Sequence, residues 1–138
     1  MTYTTTQDII NYIGEDRIVK LTSFINDTDA YLEETLNQAE AKVEGYCARY
    51  YSIPLPTDNY MIKNWTLRFA TKEVFKHSVF DKIPEKYKTD FAEMVVEIQD
   101  MAKGVLTIVG GSPVSETGAS LDITTNVSLM DETSLKGF

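Results

Sequence analysis

The chain has 138 residues, 43% hydrophobic and 25% charged, a size and balance that suit one soluble globular domain with a modest core. Its formal net charge of -8 speaks against gripping nucleic acid by neutralising phosphates, and no apolar run approaches the roughly 20 residues that span a bilayer. The single cysteine, Cys47, excludes an intramolecular disulfide, and with His77 as the lone histidine a zinc site is disfavoured.

The opening residues Met1-Thr2-Tyr3-Thr4-Thr5-Thr6 lack the basic and apolar parts of a signal peptide, so synthesis in a cytoplasm is expected. Residues 4–14 read as a short helix, capped by Thr5 or Thr6, with Ile9, Ile10 and Ile13 apolar and Gly14 as its stop. A second short helix is expected over Glu15 to Leu21. Asn26-Asp27-Thr28-Asp29 is then a loop whose last residues can cap the next helix. That helix, about 29–50, carries Leu32, Leu36, Ala39, Val43, Tyr46 and Tyr50 at alternating steps of four and three, which is one helical face. Gly45 inside it predicts a close approach by another backbone, because a mid-helix glycine costs ~1 kcal/mol relative to alanine. Pro54 and Pro56 forbid continuation.

A further long helix is expected from Asn59 or Tyr60 to Phe80, built on Met61, Ile62, Trp65, Phe69 and Val74 or Phe75. Pro84 suits the first turn of the last helix, whose stripe is Tyr87, Phe91, Met94, Val95, Ile98, Met101 and Ala102 and whose end is Lys103-Gly104. Val105-Leu106-Thr107-Ile108-Val109 reads as a short strand without a mate in the chain, so Val105, Leu106 and Ile108 are candidates for pairing with a neighbour. The fold class is therefore all-α: a small bundle of two short and three longer helices, with a short C-terminal strand and an extended arm. Residues 1–109 form the helical domain and 110–138 the arm. The arm is rich in Ser, Thr and Gly with thinly spread apolar residues, among them Leu121, Ile123 and Phe138, and reads as a segment ordered by a neighbouring chain.

No phosphate loop, Ser-His-Asp arrangement or HExxH run occurs, so no catalytic residue, metal or cofactor is assigned. Cys47 reads as a small packed side chain rather than a nucleophile, and His77 as a surface histidine without an orienting partner. Asp90, Glu93, Glu97 and Asp100 form an acidic row on the last helix, either a solvated face or a charged subunit contact or channel lining. Arg68, Lys72 and Lys76 are its basic counterpart. A nucleic-acid patch there is disfavoured, since Glu73 sits beside these cations and no aromatic residue is evidently placed to stack on a base. Two helices joined by a short break should be antiparallel neighbours and bring these rows together, within one chain or between subunits. Arg49, Tyr50 and Tyr51 admit two readings. Either a cation sits at the helix's negative end while the tyrosines pack, or the group anchors a subunit contact beside a rigid Pro-Leu-Pro segment.

Taken in order, Thr6-Gln7-Asp8-Ile9-Ile10, Tyr12-Ile13-Gly14-Glu15, the helix with Ala39, Val43, Glu44, Gly45 and Tyr46, the turn Arg49-Tyr50-Tyr51-Ser52-Ile53-Pro54-Leu55-Pro56 and the close at Ala102-Lys103-Gly104 resemble the Mu-like phage head–tail connector family. The resemblance covers roughly residues 4–108 and is carried by the order and spacing of these motifs. It implies a non-enzymatic virion protein at the head–tail neck, made in the host cytoplasm and assembled as a ring of about a dozen copies under the portal. It further implies contacts with the portal protein and with a tail or next neck protein, no membrane partner, and an open channel through which DNA passes without specific binding. A different class of function, a small helical protein-binding or regulatory module encoded by a prophage, fits the same composition.

Overall fold

In the computed structural model the described residues are 2–77 and 83–114. They form five helices: α1 (Thr6–Ile13), α2 (Glu15–Leu21), α3 (Thr28–Cys47), α4 (Tyr60–His77) and α5 (Glu85–Ala102). No sheet occurs among the described residues, and the chain is an all-α bundle.

The helix starts follow from local chemistry. The Thr5 hydroxyl accepts from the Asp8 N–H at 3.2 Å while the Asp8 carboxylate accepts from the Thr5 N–H at 2.8 Å, a reciprocal capping box. Gly14 takes φ +105°, a conformation open to glycine, and so turns the chain from α1 into α2. Asp27 caps α3 through the Ala30 N–H, and Asn59 caps α4 through the Ile62 N–H, each at 3.1 Å.

Helix α4 is the centre of the bundle, packed against α1, α3 and α5. Ile62, Trp65, Phe69, Ala70, Val74 and Phe75 are buried along it. Thr66 and Thr71, also buried, return their hydroxyls to the carbonyls of Ile62 and Leu67, which satisfies them inside an apolar core. The Phe69 ring joins three helices, stacking on Tyr46 of α3 at 6.1 Å and meeting Phe91 of α5 edge-on at 5.7 Å.

Three expectations are corrected. Residues 105–109 form no strand. Gly104 adopts φ +80° after the Lys103 cap, and its N–H goes to Met101 while those of Val105 and Leu106 both go to Asp100. Helix termination thus takes the first two N–H groups of the stretch, and the Tyr51 hydroxyl takes that of Ile108. Helix α3 ends at Cys47 rather than Tyr50, and its buried face runs through Leu32, Leu36, Ala39, Val43 and Cys47, leaving Tyr46 and Tyr50 half-buried. Gly45 is exposed, and a Cβ there would meet nothing within 4 Å, so among the described residues no other backbone approaches it. The expected end of α4 at Phe80 and the arm beyond Val114 lie outside the described residues.

Candidate functional site

Two surfaces gather most of the residues singled out by sequence. The first lies where α3 gives way to α4. After Cys47 the chain turns through Arg49, which is exposed, into Tyr50 and Tyr51. Tyr51 is buried, and its hydroxyl accepts from the Ile108 N–H at 3.1 Å. Around it runs a short antiparallel pairing. Ser52 N–H donates to the Ser112 carbonyl at 2.7 Å, and Val114 N–H to the Tyr50 carbonyl at 3.1 Å. Asn59, besides capping α4, donates from its amide to the Val109 carbonyl at 3.0 Å. Residues 106–114 are thereby folded back on the turn. Gly111 makes this possible, since a Cβ there would lie 2.7 Å from Cδ1 of the Tyr51 ring.

Ile108 is therefore buried and Leu106 half-buried, whereas Val105 is 75% exposed. Val109 is 79% and Tyr60 76% exposed, and with Met61 and Leu106 they outline a shallow surface. Of the Arg49-Tyr50-Tyr51 group, the tyrosines thus pack or pair within the chain and Arg49 faces outward.

A buried carboxylate that the pattern did not single out braces the same region. Glu40 of α3, 5% exposed, accepts from the N–H groups of Thr2, Tyr3 and Thr4 at 2.7, 2.8 and 2.9 Å and from the Thr4 hydroxyl at 2.9 Å. Tyr3 then donates its hydroxyl to Glu44 at 2.6 Å and accepts from the Leu55 N–H at 3.0 Å. Burial first, and next the Glu44 carboxylate, push the Tyr3 hydroxyl up to about 12. The signal was present in the sequence. Glu40 stands four residues after Leu36 and three before Val43, on the apolar side of α3.

The second surface is the α4–α5 face. Arg68 of α4 bonds Glu97 of α5 at 3.1 Å, and the Trp65 indole N–H donates to the same carboxylate at 3.3 Å. The basic and acidic rows therefore meet inside one chain at this pair. Lys72 lies instead over the Phe91 ring, 4.4 Å from its centre, while Lys76 and Glu93 are exposed. Asp90 accepts from the Tyr12 hydroxyl at 2.5 Å, and burial followed by this carboxylate raises the Tyr12 pKa above its ordinary value. Between the helices lies a groove of about 220 Å³, lined by Tyr12, Arg68, Lys72, Ile83, Lys88 and Phe91 among others. Of the sequence-derived candidates, Leu121, Ile123 and Phe138 fall outside the described residues.

Cys47 packs its sulfur 3.8 Å from that of Met101, and burial, with the Glu44 charge second, pushes its thiol up to about 12. A thiol so placed is neutral and enclosed, the opposite of an activated nucleophile. His77 is exposed, its Nε2 3.4 Å from Glu73. Among the described residues no cluster of three potential metal ligands occurs, and no helix is long and apolar enough to cross a membrane.

Comparison with known proteins places this architecture. No curated protein and no solved structure matches the chain. A family described as Bacteriophage Mu, Gp36 matches residues 3–122, which includes the α1 cap, the Glu40 clamp, the Tyr51 turn and both α4–α5 rows. With most of its length matched, the chain belongs to the bacteriophage Mu Gp36 family.

Proposed function

We propose that this chain is a structural protein of the phage particle, a head–tail connector that forms a ring of about a dozen copies under the portal. Its role is assembly without catalysis. One side of the ring meets the portal protein, the other a tail or next neck protein, and the genome passes through the channel without specific binding.

The reading is supported by membership of a phage protein family and by the order of motifs that resembles the connector proteins. The observation that carries it furthest is the shallow surface on which Tyr60, Met61, Leu106 and Val109 stand together, with Tyr60 and Val109 largely exposed. Tyr60 opens α4, and Val109 lies on the segment after α5 that Asn59 and Tyr51 hold in place by hydrogen bonds. Large apolar residues presented on a fixed scaffold mark a contact with another protein. The net charge of -8 suits a lining that repels DNA and lets it slide.

The test is mass measurement and projection imaging of purified neck complexes, together with particles made without this chain. A ring of copies at the neck, and tailless heads when the chain is missing, are expected. Particles that contain one or two copies, or none, overturn the reading and favour a prophage-encoded binding or regulatory module.

A further inference from the structure

We propose that residues 2–4 are a latch on a distant part of the chain. While they are docked on Glu40, the turn 50–56 holds residues 106–114 in place, and when they are released that segment opens with them. The latch governs the surface that carries Val109, and rests on the connector reading only for what that surface meets.

The turn draws its ties from outside itself. Pro54 and Pro56 have no N–H to donate. The N–H groups of Tyr50 and Tyr51 close on Cys47 at the end of α3, whereas those of Ser52 and Leu55 leave the turn. Ser52 donates to the Ser112 carbonyl at 2.7 Å, and Leu55 to the Tyr3 hydroxyl at 3.0 Å. One stretch of chain is thus tied both to the N-terminal residues and to the segment after α5.

Residues 2–4 dock as a unit. Glu40, which is buried, takes the N–H groups of Thr2, Tyr3 and Thr4 and the Thr4 hydroxyl, and Glu44, one turn further along α3, takes the Tyr3 hydroxyl. Without these donors two carboxylates four residues apart would share one helix face, one of them out of water. Partial docking leaves most of that cost in place, so the latch is either on or off. Once it is off, the Leu55 N–H, on a residue 2% exposed, has lost its acceptor.

Close packing carries the change onward. A Cβ on Gly111 would lie 2.7 Å from the Tyr51 ring and one on Gly110 3.5 Å from Pro56, while the Tyr51 hydroxyl holds the Ile108 N–H and the Tyr50 carbonyl that of Val114. A shift of the turn that relieves Leu55 therefore moves Tyr51 and Pro56 against residues 108–114. Packed contacts of this kind open rather than stretch. Coupling between two sites is reciprocal, so a partner seated on Val109 would in turn fasten residues 2–4 on Glu40.

The test is hydrogen exchange of the full chain, read amide by amide as urea is raised through the range in which it stays folded. In the parent, the amides of Tyr3, Thr4, Leu55, Ile108 and Val114 should merge on one opening with one urea dependence, short of the global unfolding that frees Phe69 and Ala70 in α4. Tyr3→Phe removes one oxygen and keeps the ring, and should speed exchange at Ile108 and Val114 about tenfold. Tyr51→Phe should do the same, about tenfold, at Tyr3 and Thr4. Amides of residues 108–114 that open with a urea dependence different from that of Tyr3, that exchange only on global unfolding, or that keep the parent's rate in Tyr3→Phe overturn the proposal. Should either variant fail to fold, the parent's urea series decides alone. A ring found at the neck alongside a failed exchange test leaves the connector reading standing. Particles that lack the chain remove that reading and leave the exchange result intact.

Discussion

The clamp at the N-terminal end of the chain and the α4–α5 face use the same residue types to different ends. At the clamp, Glu40, Tyr3 and Tyr51 hold backbone that is not helical: residues 2–4, Leu55 and Ile108. Peptide N–H groups outside helices have no built-in partner, so burying them requires a side chain to accept each one. On the α4–α5 face the backbone is satisfied within the helices. There Glu97, Lys72 and Asp90 engage other side chains at partly exposed positions. Charge placed on irregular backbone fixes the fold, while charge placed on a helix face is available to choose partners.

That contrast breaks if the clamp proves dispensable. Glu40→Ala leaves three buried or part-buried N–H groups without their acceptor and should cost about 3 kcal/mol, read from urea unfolding of the full chain. A loss under 1 kcal/mol would mean that solvent or another group takes over. Gly111→Ala drives a methyl into the Tyr51 ring and against the Ile108 carbonyl at 3.1 Å. A loss of about 2 kcal/mol is expected, with amide exchange rising first at Ile108 and Val114.

Alkaline titration sharpens the comparison with a smaller effect. Tyr3 is neutral in the folded chain up to about 12, against 10 for the free side chain. The stability it contributes is complete below pH 10 and is lost as pH rises through 12. Tyr3→Phe should flatten the fall in melting temperature across that window. The smallest effect is expected on the helix face. A double-mutant cycle of Arg68→Ala and Glu97→Ala, the latter side chain 42% exposed, should return a coupling below about 1 kcal/mol in folding. A larger value would mean that this pair belongs with the clamp.

The helices and their caps were legible because their causes are local. Thr5, Gly14, Asp27 and Gly104 each act within a few residues of the turn they make, and the apolar stripes of α3, α4 and α5 recur at helical spacing. Glu40 was less legible because the groups it serves, Thr2 to Thr4, lie 36 to 38 residues away. A carboxylate on an apolar stripe announces that a donor exists without saying which. The stretch 105–109 misled for a related reason. Its β-branched residues favour a strand, yet the end of α5 takes the Val105 and Leu106 donors and the Tyr51 hydroxyl takes that of Ile108. Gly111 could not be distinguished from its neighbour Gly110 until the Tyr51 ring was seen to lie against it. Antiparallel neighbours suggested that the two rows meet, within one chain or between subunits; which pair forms, Arg68 with Glu97, and the turn of Lys72 toward Phe91 were not legible.

The enclosure of Cys47 has a practical consequence. A thiol with no exposed surface, packed on Met101, reacts with a soluble thiol reagent only while the core around α3 and α5 is open. Because the chain carries no other cysteine, its labelling rate is a clock for that opening. The unaltered protein therefore brings its own stopwatch, with which isolated chains and assembled particles can be timed without introducing a probe.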